Sequence, residues 1–95
     1  MKNTLNGKVV VVTGASSGIG EAMAREYAKM GAKVVMAARR EEELKRIASE
    51  IEAEGGKVAY SACDVVKEEE CKRLIEVAIE AFGSIDVLIC NAGLS

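Results

Sequence analysis

Residues 9–20 read VVVVTGASSGIG, a run of four valines directly before a glycine-rich segment. Consecutive apolar residues, rather than alternating ones, predict a strand that is buried on both faces, which we place at residues 8–12. The spacing G-x-x-x-G-x-G that follows predicts a turn leading into a helix. Gly14 would allow the turn, Gly18 would let a pyrophosphate approach the backbone, and Gly20 would let the helix pack close to the sheet.

The start of this helix is a candidate anion site. Free N–H groups and the positive end of the helix dipole would face a phosphate, and Ser16 and Ser17 could add hydroxyl donors. No Gly-Lys-[Ser/Thr] follows, so the segment is not a P-loop. The alternative is a flexible turn without a ligand, but the position between a buried strand and an amphipathic helix favours a dinucleotide site.

The rest of the chain repeats the alternation of strand and helix. Further strands are predicted at residues 33–37, 57–62 and 85–90, with apolar residues at helical spacing in 19–30, 44–51 and 71–82. Each helical segment is followed by a glycine, and the third lacks a good N-cap at Val66 and Lys67. This order predicts an α/β half-Rossmann fold in three layers. Its parallel sheet has four strands in the order 3-2-1-4 and three crossover helices, the first two on one face and the third on the other.

Composition excludes several classes of protein. The 95 residues suffice for one domain, and 13 basic against 15 acidic residues give a net charge of −2 without a basic cluster, which argues against binding nucleic acid. No apolar run approaches the roughly 20 residues that cross a membrane, and no signal peptide is visible. Histidine is absent, which excludes a histidine base or metal ligand. Cys63, Cys71 and Cys90 lack C-x-x-C spacing, so we expect free thiols, no metal site and a cytoplasmic protein.

Three motifs in fixed order resemble the short-chain dehydrogenase/reductase family. They are the segment 13–20, Asp64-Val65 after the third strand, and Asn91-Ala92-Gly93 after the fourth. Residues 82–88, which read FGSIDVL, match as well. The chain resembles the N-terminal part of such a protein over residues 8–93. Residues 1–95 are therefore expected to form a single, partial NADP-binding Rossmann domain.

The resemblance implies a role for each motif in binding the cofactor. The phosphates would be lined by Ser16, Ser17 and Ile19. The adenine would be held by Asp64 and Val65, with the carboxylate accepting a hydrogen bond from the exocyclic amine. The adenosine ribose would be bordered by Asn91, Ala92 and Gly93, with Thr13 hydrogen-bonded near Asn91. The alternatives are that Asp64 merely starts a turn and that residues 91–93 form an ordinary loop.

One residue departs from the family pattern. Cys90 stands where the family usually has a second asparagine, so one polar contact that braces the sheet is expected to be missing. We expect Cys90 to be a buried structural thiol, since free cysteine is among the most buried residue types, and a redox-sensing thiol is the alternative.

The second strand predicts which dinucleotide is bound. NAD binding needs an acidic residue near its end for the ribose 2′-hydroxyl, and that position is Ala38. Without the carboxylate a 2′-phosphate is not repelled, and Arg39 could bind it through two N–H groups, with help from Arg40. The alternative is that both arginines pair with the glutamates that follow at 41–43. The prediction is NADP (NADPH), with NAD less favoured.

The family's catalytic serine and Tyr-x-x-x-Lys pair lie beyond Asn-Ala-Gly. Tyr27 is followed four residues later by Gly31 and Tyr60 by Asp64, so the sequence contains no such pair. We expect a fragment of a carbonyl/alcohol oxidoreductase acting on a small molecule, inactive by itself. The strand at 85–90 would be an open edge, which favours self-association or a complementing C-terminal half. A stand-alone nucleotide-binding or interaction module without catalysis is the alternative, and a domain that binds nothing is a third.

Overall fold

The computed structural model describes residues 5–16, 18–64 and 67–91. Strands and helices alternate through these residues as the sequence predicts. The strands are β1 Val9–Thr13, β2 Lys33–Ala38, β3 Lys57–Ala62 and β4 Val87–Ile89. The helices are α1 Gly18–Lys29, α2 Glu41–Ala53 and α3 Glu68–Phe82.

The four strands form one parallel sheet in the order β3-β2-β1-β4. Val10 of β1 lies opposite Val34 of β2 on one side and Val87 of β4 on the other. The predicted α/β half-Rossmann fold and strand order are confirmed. Because all strands are parallel, their carboxyl ends share one edge of the sheet, and the connections to α1, α2 and α3 leave from that edge.

Two apolar clusters hold the three layers together. On one face, alternate residues of β1 and β2 pack with α1 and α2, and Met36, Leu44 and Ile47 are fully buried there. On the other face, Val9 and Val35 pack with residues of α3, which include Leu74. The predicted distribution of two helices on one face and one on the other is therefore confirmed. The continuous apolar runs of β1 and β2 serve both faces, since neighbouring residues of a strand point to opposite sides.

The fourth strand is shorter than its predicted extent of 85–90. The backbone N–H of Asp86 donates to the carbonyl of Val9 at 2.9 Å, and Asp86 Oδ2 accepts from the backbone N–H of Val9 at 2.8 Å. A side chain therefore replaces a backbone carbonyl at this point, and regular pairing begins only at Val87. Ile85 precedes the strand and packs, partly buried, against the cluster on the α3 face.

Candidate functional site

The glycine-rich segment forms a turn at the carboxyl end of β1. Gly14 adopts a left-handed conformation with φ of 65°, which favours glycine because other residues have a Cβ that clashes there. The next residue, Ala15, is buried, and its N–H donates to the carbonyl of Ala37 at 3.1 Å. The turn is thus attached to β2, the neighbouring strand, as well as to β1.

Gly20 brings the first turn of α1 against the end of the sheet. A Cβ built on Gly20 would lie 2.1 Å from the backbone oxygen of Gly14 and 2.8 Å from Asn91 Nδ2. No real Cβ tolerates such distances, so only glycine permits this approach of helix and strand. The N-terminus of α1 is thereby fixed directly at the carboxyl edge of the sheet.

Gly18 presents the opposite environment, two residues earlier. It is exposed and left-handed, with φ of 58°, and a Cβ built on it meets no atom within 4 Å. The backbone at the start of α1 is therefore open to an approaching group. Unpaired N–H groups and the positive end of the helix dipole lie at such a terminus, which makes it suited to a phosphate.

Thr13 and Asn91 join the ends of β1 and β4 beside the turn. The backbone N–H of Asn91 donates to Thr13 Oγ1 at 2.8 Å, and that hydroxyl donates to the carbonyl of Ile89 at 3.2 Å. The Asn91 side-chain amide lies 3.5 Å from the Gly14 carbonyl, and the residue is only 7% exposed. Asn91 is thus a buried contact between β4 and the glycine turn, with Thr13 hydrogen-bonded to it as expected.

The end of β2 leaves Arg39 exposed. Ala38, where an acid was sought, is 8% exposed, and its carbonyl accepts the N–H of Cys63 at 2.8 Å. Within the described residues, neither Arg39 nor the exposed Arg40 forms an ion pair. The described contacts therefore give no support to the alternative that both pair with the following glutamates.

Two carboxylates near this edge of the sheet, Glu43 and Glu21, are paired with other cations. Glu43 pairs with Arg46 at 2.9 Å, and Glu21 of α1 pairs with Arg25, also at 2.9 Å. Arg25 in turn bonds Glu50 of α2 at 2.6 Å. The hydrogen bond from Arg25 lowers the pKa of Glu50, and the Glu50 carboxylate raises the pKa of Arg25. The acid in the first turn of α1 is thus paired with a cation, which reduces its repulsion of an anion.

Asp64 follows β3 and is half-buried. Its backbone N–H donates to Glu70 Oε1, in the first turn of α3, at 2.6 Å. Sequence reasoning missed Glu70, although it stands three residues after the Lys67 N-cap, the position from which a carboxylate commonly bonds backward to a backbone N–H. Sequence reasoning also missed Asp86, which lies in the FGSIDVL segment. Its hydrogen bonds to Val9 come directly before β4.

The structure brings most of the predicted site residues to one edge of the sheet. Gly14, Ser16, Gly18, Ile19 and Gly20 belong to the turn and α1, and Ile19 is 65% exposed. Arg39, Asp64 and Asn91 follow β2, β3 and β4. Ser17, Val65, Ala92 and Gly93 lie outside the described residues.

The cysteines and tyrosines differ in their burial. Cys63 is buried, and burial raises the pKa of its thiol. Cys90 is exposed, so the expectation that Cys90 is buried was wrong. Tyr27 and Tyr60 pack, partly buried, against the core on the α1 and α2 face.

No cluster of metal-ligating side chains occurs within residues 5–16, 18–64 and 67–91. Nor do those ranges contain a helix with the length and apolar character to span a bilayer.

A cavity of about 110 Å³ lies at the other edge of the sheet. It is lined by the carboxyl-terminal turns of α1 and α2 and by the residues before β3, among them Lys29, Ile51 and Glu54. The amino ends of β2 and β3 lie there, so this cavity is separate from the glycine turn.

Known proteins resemble this chain over most of its length. A family profile described as short chain dehydrogenase matches residues 8–95. An uncharacterised oxidoreductase of Listeria innocua is 48% identical over 91 residues, covering 96% of this chain and 37% of that protein. The chain thus spans little more than a third of that relative's length.

Two solved structures share the fold. The L-sorbose reductase of Gluconobacter frateurii, complexed with NADPH and L-sorbose, superposes with a TM-score of 0.93 and 39% identity, covering 98% of this chain and 36% of that one. An alcohol dehydrogenase of Thermococcus sibiricus, complexed with 5-hydroxy-NADP, gives a TM-score of 0.81 and 43% identity over 85% of this chain and 35% of that one. With its glycine turn, strand order and profile match, the chain belongs to the short-chain dehydrogenase family.

Proposed function

We propose that this chain binds a nicotinamide dinucleotide, with the pyrophosphate at the N-terminus of α1. The observation that carries the proposal is the contrast between two glycines of one turn. Gly20 is packed against Gly14 and Asn91, whereas a Cβ built on Gly18 would meet no described atom within 4 Å outside the adjoining residues. This contrast fixes the helix terminus at the sheet edge and leaves its backbone accessible, which is the arrangement that a pyrophosphate needs.

The remaining site residues would contact the other parts of the cofactor. In this proposal Ser16, Ser17 and Ile19 line the phosphates, and Asp64 with Val65 holds the adenine. The adenosine ribose is bordered by Asn91, Ala92 and Gly93. Support comes from the position of the described members of this set, which follow different strands of one parallel sheet and therefore share its carboxyl edge.

NADPH is the proposed cofactor, in preference to NADH. Ala38 supplies no carboxylate to repel a 2′-phosphate, and Arg39 is exposed without an ion-pair partner among the described residues. A free guanidinium can donate two parallel hydrogen bonds to a phosphate. The reductase from G. frateurii, whose structure contains NADPH, supports the same choice.

The proposed reaction class is the interconversion of a carbonyl and an alcohol on a small molecule. When bound, the dinucleotide supplies or accepts the hydride. The contribution of this chain's residues is to bind the phosphates, to orient the adenosine half and to position the cofactor at the sheet edge. The 95 residues contain no Tyr-x-x-x-Lys pair, so we expect no turnover from this chain alone.

Calorimetric titration with NADPH, NADH and inorganic pyrophosphate tests the proposal. We expect saturable binding of NADPH, weaker binding of NADH and weaker binding still of pyrophosphate. Gly18→Val, which fills the open space beside the helix terminus, should abolish all three while circular dichroism shows a folded chain. Absence of NADPH binding to the wild-type chain would refute the proposal.

A second candidate function, an interaction module, is favoured by the exposure of β4. Leu88 is 57% exposed, and Ile75 and Ile79 of α3 are about half exposed at 51% and 47%. Among the described strands, β4 pairs only with β1 and leaves its other edge open. The proposed partner is a second copy of this chain or a complementing C-terminal half, because open edges and apolar surfaces favour association. Cys63, Cys71 and Cys90 form no disulfide, which fits a reducing, cytoplasmic location that we also propose.

A further inference from the structure

Glu70 holds the main chain of Asp64 from the first turn of α3. Glu70 Oε1 accepts the backbone N–H of Asp64 at 2.6 Å, while Lys67 Nζ lies 3.7 Å from the other carboxylate oxygen. The backbone carbonyl of Asp64 accepts the N–H of Lys67 at 3.0 Å. Both backbone polar groups of Asp64 are therefore bonded to the start of α3.

The residue before Asp64 is fixed as well. The N–H of Cys63 donates to the carbonyl of Ala38 at 2.8 Å, which attaches the end of β3 to the end of β2. Arg39 follows directly on that second strand. The position of Asp64 relative to the proposed 2′-phosphate site is thus set by two sets of contacts, one to β2 and one, through Glu70, to α3.

We propose that Glu70 is a positioning residue for base recognition, because it sets the backbone of Asp64 so that its carboxylate meets the 6-amino group of adenine. This inference rests on the proposed function. A hydrogen bond from a backbone N–H to a carboxylate is charge-assisted and stronger than a neutral one. Its loss would remove one of the two backbone bonds that join Asp64 to the start of α3, and the bonds from Lys67 to Asp64 and from Cys63 to Ala38 would remain.

A pair of ligands that differ at one position of the base gives the test. NADPH carries the 6-amino group, and its purine analogue has a hydrogen at that position, which cannot donate to Asp64. Both carry the same phosphates, so the ratio of their dissociation constants cancels any effect of the lost Glu70 charge on anion binding. We expect wild type to favour NADPH by about 10- to 150-fold, the range for a hydrogen bond to a charged group.

Four variants separate positioning from general stability. Glu70→Ala should bring the ratio close to one, and Glu70→Gln, which keeps an oxygen acceptor, should restore most of it. Glu69→Ala removes the same charge from the same turn without a hydrogen bond to Asp64, and should keep the wild-type ratio. Glu70→Met preserves length and helix propensity and takes the place of Glu70→Ala if that variant does not fold.

The outcomes distinguish this inference from the proposed function. A wild-type ratio in Glu70→Ala or Glu70→Met overturns the role of Glu70 and leaves dinucleotide binding intact. Equal affinities of wild type for the two ligands also overturn it, because base recognition would then not involve the 6-amino group. Failure of wild type to bind either ligand overturns both proposals. A lowered ratio in Glu70→Ala with recovery in Glu70→Gln supports the inference.

Discussion

The hydroxyl of Thr13 links β1 to β4 by accepting the backbone N–H of Asn91 at 2.8 Å while donating to the carbonyl of Ile89 at 3.2 Å. Thr13 is only 4% exposed, so both backbone groups depend on it rather than on water. The edge strand β4 has only three residues and pairs with β1 alone within the described sheet. The Thr13 side chain therefore supplies two of the hydrogen bonds that attach the end of β4 to β1.

Thr13→Val, which replaces the hydroxyl by a methyl group of similar size, should destabilise the chain by about 1–3 kcal/mol, the cost of leaving a buried polar group unpaired. Urea denaturation followed by circular dichroism measures the change. Thr13→Ser keeps the hydroxyl and should retain most of the stability. A Thr13→Val variant as stable as wild type would show that β4 is held by its backbone ladder and apolar contacts instead.

Gly18 and Gly20 should differ in what their substitution by alanine changes. Gly20→Ala forces a Cβ into the Gly14 carbonyl and should cost about 1–3 kcal/mol of stability, as overpacking does. Gly18→Ala meets no protein atom and should cost about 1–2 kcal/mol through left-handed strain. It should also weaken NADPH binding, because the added methyl group occupies the approach to the helix terminus.

Gly83→Ala is the matched control for Gly18→Ala. Gly83 is left-handed with φ of 85° and has open space around its Cβ position, but it lies after α3 and before β4. Its substitution should cost a similar amount of stability without changing the affinity for NADPH. Denaturation and calorimetry on the three variants check both expectations. Equal affinities of Gly18→Ala and Gly83→Ala would contradict a phosphate site beside Gly18.

Arg39→Ala should weaken NADPH binding by about 10- to 150-fold, the loss of a hydrogen bond between charged groups, and should leave NADH binding nearly unchanged. Ala38→Asp should shift the preference towards NADH, since the new carboxylate repels a 2′-phosphate and accepts from a ribose hydroxyl. Arg73→Ala removes the same charge from α3, on the other face of the sheet, and serves as the control. Equal affinities of wild type for NADPH and NADH would contradict the proposed preference.

The ion pair between Arg25 and Glu50 predicts a stability that depends on pH. Arg25 lowers the pKa of Glu50 in the folded chain below its ordinary value near 4.5. A lowered folded pKa stabilises the fold above the unfolded value, and that contribution disappears as the pH falls from about 4.5 through the folded pKa. Glu50→Gln should therefore reduce the difference in stability between pH 6 and acid, most clearly at low salt because the pair is exposed.

Denaturation at several pH values measures this effect, with Glu52→Gln as control. Glu52 lies on the same helix, and no ion pair to it occurs among the described residues. The Glu52→Gln profile should follow wild type. Coincident profiles for wild type and Glu50→Gln would mean that the ion pair between Arg25 and Glu50 does not contribute to stability.

The sequence predicted the fold because its signals are local. Apolar runs, helical spacing and the glycines after each helix are visible in short stretches of sequence. Together with the right-handedness of crossover connections, they predicted the strand order. The shortening of β4 was not predictable in the same way. It depends on the Asp86 carboxylate meeting Val9, 77 residues earlier, and nothing in the neighbouring sequence indicates that contact.

The candidate site also combines features that the sequence predicted with features that it did not. The turn at Gly14 and the packing of Gly20 follow from glycine spacing, and the bond between Thr13 and Asn91 was expected from the family resemblance. The exposure of Cys90 was not expected. It arises because β4 ends at Ile89 and leaves the next side chain outside the strand. The contact of Glu70 with Asp64 spans six residues and was visible only as a carboxylate three positions after an N-cap.

Leu88→Lys should reduce self-association through β4. Val87 and Ile89 pack on the α1 and α2 face, so Leu88, between them, lies on the opposite face, beside α3. A lysine there interrupts the apolar surface and adds charge repulsion between two copies, as lysines on natural edge strands do. Sedimentation at several concentrations should show wild type associating and Leu88→Lys remaining monomeric, with Ala22→Lys on the exposed side of α1 behaving as wild type. A wild-type chain that stays monomeric at every concentration, with slowly exchanging amides throughout β4, would refute the role of the open edge.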